Sequence, residues 1–78
     1  MRMKAHEEII KFIAAGPSVS NLASFKASPE TQQRVESLIR KEKTDGLTPD
    51  EKLELDDFMQ LEHLMTLVKA RARKNLSQ

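Results

Sequence analysis

A chain of 78 residues sits at the small end of what folds unaided, where only about 60% of the surface exposed by the unfolded chain is buried, so one domain, 1–78, is the limit. Thirty hydrophobic residues include seven Ala, leaving twenty-three large apolar side chains for a core, enough for two or three packed helices. Thirteen Lys and Arg against twelve Asp and Glu, with no Cys, exclude a global field aimed at nucleic acid or membrane, a disulfide framework, a thiolate zinc site and a cysteine nucleophile, and a reducing cytoplasm fits.

The first predicted helix covers about 3–15, with Ala5, Ile9, Phe12 and Ile13 at helical spacing and Gly16-Pro17 as its stop. Its apolar stretch from Ile9 to Ala15 is broken by Lys11 and preceded by Glu7 and Glu8, unlike the core of a signal peptide. No run approaches the roughly 18 apolar residues of a membrane span. Residues 16–28 read as a loop with a short helical turn, capped by Ser20 or Asn21, which must place Val19, Leu22 and Phe25.

Ser28-Pro29-Glu30 supplies a cap, a Pro at the first helical position and an acid near the positive end of the dipole. A second helix is therefore predicted over about 29–44, ending at Asp45-Gly46. Its apolar stripe of Val35, Leu38 and Ile39 is thin. Thr48-Pro49-Asp50-Glu51 repeats the signal with a capping box and opens a third helix over about 49–74. The link from Asp45 to Thr48 suits antiparallel helices. The expected fold is all-α: a capped antiparallel helical hairpin, 29–44 and 49–74, with the N-terminal helix packed on it.

On the third helix Phe58, Leu61, Met65, Val68 and Ala72 recur at intervals of 3, 4, 3 and 4, and Leu53, Leu64 and Leu67 widen that seam on one side. This is more apolar surface than the second helix can cover. Part of it is expected to be a groove or self-association seam, most simply a homodimer through Phe58, Leu61, Met65 and Val68. Charge along the same helix is polarised. Asp50, Glu51, Glu54, Asp56, Asp57 and Glu62 crowd the first half, while Lys69, Arg71, Arg73 and Lys74 occupy the second, each matching the helix dipole.

Catalytic motifs fail on inspection. His6-Glu7-Glu8-Ile9-Ile10 begins like HExxH but has Ile where the second imidazole belongs. A calcium loop around Gly46 would place Lys41 and Lys43 at ligand positions. Asp56 and Asp57 are adjacent, so on a helix they diverge rather than share a site. Ser18, Ser20 and Ser24 lack a base beyond Lys26, and two Gly make no phosphate cradle. No enzyme, metal or cofactor is expected. The basic run Lys69, Arg71, Arg73 and Lys74 is the segment with binding chemistry, for phosphates or for a protein partner's carboxylates, although no Tyr or Trp accompanies it for base stacking.

Ser28-Pro29-Glu30-Thr31-Gln32-Gln33-Arg34-Val35, followed by Gly46-Leu47-Thr48-Pro49-Asp50-Glu51, Leu61-Glu62-His63-Leu64-Met65 and Lys69-Ala70-Arg71-Ala72-Arg73, resembles a group of small, largely uncharacterised bacterial helical proteins. Their genes often neighbour nuclease genes, some of the HNH type, in a toxin–antitoxin-like arrangement. The resemblance covers nearly the whole chain and implies an antitoxin or immunity-type protein that binds and neutralises a partner. With such a toxin or nuclease as partner, Asp56 and Asp57, together with Asp50 and Glu54, would plug a cationic cleft while Lys69, Arg71, Arg73 and Lys74 dock at carboxylates. The alternative is a small dimeric nucleic-acid-binding regulator.

Overall fold

The structure, a computed structural model, describes residues 4–77. Four helices follow one another: α1 (Ala5–Ala14), α2 (Val19–Ala23), α3 (Pro29–Thr44) and α4 (Pro49–Leu76). No strand occurs among the described residues. Met3, expected at the start of the first helix, lies outside them. At its other end α1 stops one residue short of expectation, with Ala15 as cap and Gly16 at φ +68° turning the chain away.

The short turn within 16–28 is α2, and its cap is Ser18 rather than Ser20 or Asn21. Ser18 is extended, and its hydroxyl accepts the Asn21 amide at 3.1 Å, whereas Ser20 and Asn21 are already helical. The two later starts form as the chemistry requires. Ser28 Oγ accepts from the Thr31 amide at 3.3 Å, and Thr48 and Glu51 close the reciprocal capping box at 3.1 and 2.9 Å. Gly46, at φ +83°, lets its N–H donate back to the Lys41 carbonyl at 2.8 Å and closes α3. α4 runs two residues past Lys74, because no Gly or Pro interrupts it and Arg73 and Lys74 suit its negative end.

At 1.5 Å per residue, the 28 residues of α4 make a rod of about 42 Å, close to the 48 Å long axis of the molecule. The other three helices all pack on it. Two ion pairs tie α3 to its first turns, Lys41–Glu51 near the connecting loop and Arg34–Glu54 farther away. Ala5, Ile9, Val35, Leu38, Leu55, Phe58 and Met65 form the core, with Phe12, Leu22, Phe25, Ile39, Leu47 and Leu61 packed around it. Phe12 and Phe25 bring α1 and the segment after α2 together, their rings 4.4 Å apart. That contact places the three apolar residues of 16–28: Leu22 and Phe25 join the core edge, and Val19 stays exposed.

Candidate functional site

The acids and bases suited to catalysis are dispersed or engaged in holding the fold. His6 lies half-buried on α1, its Nδ1 buried without a hydrogen-bond partner, and His63 is exposed on α4. No group of three His, Asp or Glu that could hold a metal ion occurs among the described residues. Asp56 is exposed and Asp57 half-buried, about 100° apart around α4.

Glu54, expected on an acidic surface, is instead only 5% exposed. Its carboxylate accepts a two-pronged bond from Arg34, Nε to Oε2 at 3.1 Å and Nη2 to Oε1 at 3.0 Å, and the Ala5 amide at 3.0 Å. One buried anion thus joins α3 and α4 to the first amide of α1, which has no partner within the helix. The Arg34 bond, helped by the Ala5 amide, outweighs burial and holds the Glu54 carboxyl below its ordinary range. Glu8 makes a second clamp: its oxygens accept the Ser28 amide at 2.7 Å, the Ser28 hydroxyl at 2.6 Å and the Thr31 hydroxyl at 2.9 Å. Burial alone would raise the Glu8 pKa, but these three bonds together lower it. At the connecting loop, Lys41 Nζ donates to both oxygens of Glu51 at 2.7 and 2.9 Å. With the Thr48 amide, that contact draws the Glu51 pKa down to about 2. The Glu54 and Glu8 clamps were not visible in the sequence, because partners twenty or more positions apart leave no local spacing signal.

A groove of about 350 Å³ opens between α1, α3, α4 and the segment after α2. Its floor is Ile9, Phe25, Val35, Phe58 and Met65, and Lys26, Gln32, Glu36, Glu62, Thr66 and Lys69 also line it. Lys69 therefore parts company with Arg71 and Lys74. Arg71, Arg73 and Lys74 are exposed, but helical geometry sends Arg71 and Lys74 to one side of α4 and Arg73 to the other. Four cations adjacent in sequence do not make one patch.

The seam expected to join two copies is also redistributed. Phe58 and Met65 are 4% and 2% exposed within the single chain, and Leu61 and Val68 are half-buried beside them. The surface assigned to a homodimer is the face against which α2, α1 and α3 pack. The outer side of α4 instead carries Leu53, Leu64 and Leu67, exposed at 59%, 47% and 57%, within an arc of about 60°. Read along that arc, Leu53, Asp57, Gln60, Leu64, Leu67, Arg71 and Lys74 alternate at intervals of 4 and 3. That spacing is the signal that could have found the face. Its polar members masked it next to the denser apolar seam. Comparison with known proteins finds no matching family model, no matching curated protein and no matching solved structure.

Proposed function

We propose that this chain is a non-enzymatic protein-interaction module of the antitoxin or immunity kind, working in the cytoplasm. Its capped hairpin of α3 and α4, braced by α1, holds the outer face of α4 ready for a protein partner. The observation that carries the proposal is the row of Leu53, Leu64 and Leu67, left about half exposed on the longest and best-capped helix. An aligned apolar stripe on a rigid support, rimmed by charge, is what a protein interface presents before it is covered. Asp56 and Asp57 toward one end and Arg71 and Lys74 toward the other orient whatever docks there.

The resemblance to proteins encoded beside nuclease genes favours a nuclease as the neutralised partner. Producing the tagged chain together with the product of the neighbouring open reading frame tests this. The expected result is a complex of fixed stoichiometry in which the partner's nuclease activity is suppressed. Leu64→Glu combined with Leu67→Glu should weaken it while leaving the helical content unchanged. Two fully active proteins that do not associate would overturn the proposal. A nucleic-acid-binding regulator is less well supported, because the cations of the basic run are divided around the helix. DNA or RNA binding below micromolar at about 0.15 M salt, abolished by Arg71→Glu with Arg73→Glu, would put the regulator in its place.

A further inference from the structure

We infer that the outer face of α4 pairs with a second copy of this chain, the two α4 helices running antiparallel about a two-fold axis between Leu64 and Leu67. The inference rests on that face being a docking surface and names its occupant. Its basis is the order of charges along the stripe: half-buried Asp57 and exposed Gln60 precede the two leucines, and exposed Arg71 and Lys74 follow them. In a parallel pair every residue would meet its own counterpart, Asp57 against Asp57 and Lys74 against Lys74, which repels at both ends.

Reversing one helix removes both conflicts. With the axis midway between Leu64 and Leu67, Leu64 packs on Leu67 of the second copy, Gln60 faces its Arg71, and Asp57 faces its Lys74. Symmetry makes each contact twice. The exposed Asp56 lies on the same flank as Lys74 and adds to the attraction at each end, while Leu53 falls at the margin of the overlap. The other three helices pack against the opposite side of α4, where Leu55, Phe58 and Met65 are buried, so nothing in the fold blocks the approach. The stripe is self-complementary in charge. A polyanion or a uniformly basic partner would match only one end of it. Self-pairing and the partner proposed above therefore compete for the same face of α4.

Sedimentation equilibrium of the purified chain from low to high micromolar concentration tests the pairing. The expected mass rises to twice the 8.9 kDa of the chain. Leu64→Glu with Leu67→Glu should hold it at the monomer mass with unchanged circular dichroism. Asp57→Lys or Lys74→Asp alone should weaken the dimer about tenfold, and the two combined in one chain should restore it. Direction is read by crosslinking, since the chain has no Cys of its own. A mixture of Asp57→Cys and Lys74→Cys chains should oxidise to the mixed 57–74 disulfide. Preferential 57–57 and 74–74 products would overturn the antiparallel pairing, and a monomer throughout the range would overturn self-association. The broader reading fails separately: it falls if Leu64→Glu with Leu67→Glu also leaves the complex with the neighbouring gene's product unchanged. It survives with a different occupant if a monomeric parent chain loses that complex on the same substitution.

Discussion

The inner and outer faces of α4 are built from similar side chains and meet different fates. Leu55, Phe58 and Met65 disappear into the core, whereas Leu53, Leu64 and Leu67 stand in solvent. Hydrophobicity already favours burying the inner arc, since Asp57, Gln60, Arg71 and Lys74 interrupt the outer one, and a polar contact adds to that preference. The Glu54 clamp reinforces that rotation. Its carboxylate must lie where Arg34 and the Ala5 amide can reach it, and a buried carboxylate without those partners would be costly. Turning α4 to cover Leu53, Leu64 and Leu67 would break that clamp. A polar contact thereby agrees with the apolar pattern in leaving the outer leucines available.

The largest effect that sharpens this contrast is truncation on the inner face. Phe58→Ala should cost about 3–5 kcal/mol, a large share of the whole stability of so small a domain. Leu64→Ala should shift the monomer by no more than about 0.5 kcal/mol. Urea unfolding at low protein concentration compares the two. Similar losses would show that the outer leucines are packed in solution and that the faces are not distinct.

Next in size is the clamp. Glu54→Ala should destabilise by about 2 kcal/mol, because it strands the Ala5 amide and unpairs Arg34, which retains some solvent. The neighbouring Asp56→Ala, on the exposed side, should be close to neutral. If the two substitutions proved equivalent, Glu54 would not be what orients the helix.

The clamps also predict a pH dependence of definite sign. Glu8, Glu51 and Glu54 each have a folded pKa below the ordinary 4.5, so the unfolded chain binds more protons as acid is added. Their stabilisation is complete above about pH 4.5 and is lost as the pH falls through the folded values, reaching about 2 for Glu51. Thermal unfolding followed from pH 6 to about 2 should show a midpoint that is flat and then declines. Glu54→Gln should make the decline shallower. A midpoint that rises with acid would contradict all three contacts.

Much of the fold was legible because the signals that made it are local. Ser28-Pro29 and Thr48-Pro49, with the Gly46 stop between them, set the bounds of α3 and the start of α4 to the residue, since each depends on groups within a few positions of one another. The N-terminal third was read less well. Ser18 took the role expected of Ser20 or Asn21, and nothing nearby announced that Glu8 would reach across to Ser28. The candidate site was the least legible part. The division of Lys69 from Arg71 and the burial of Phe58 and Met65 follow from the rotation of α4, which depends on contacts with elements far away in sequence, among them partners 20 and 49 positions from Glu54.

A smaller loss than that of the core or clamp substitution belongs to a residue that precedes both faces. Thr48 caps α4 through its own hydroxyl, while Glu51 answers through the Thr48 amide, so Thr48→Ala removes one half of the box and leaves the other. The cost should be about 1 kcal/mol, read as a lower denaturant midpoint with an unchanged slope. Thr48→Ser, which keeps the oxygen, should recover most of it. Because the first turn of α4 lies outside the Asp57 to Lys74 overlap, Thr48→Ala should leave the dimerisation constant where the parent has it, measured where both proteins are fully folded. A cap substitution that weakened self-association as strongly as Leu64→Glu with Leu67→Glu would mean that the outer face is only as ordered as the helix start, and that it is not the separate rigid surface its contrast with the core implies.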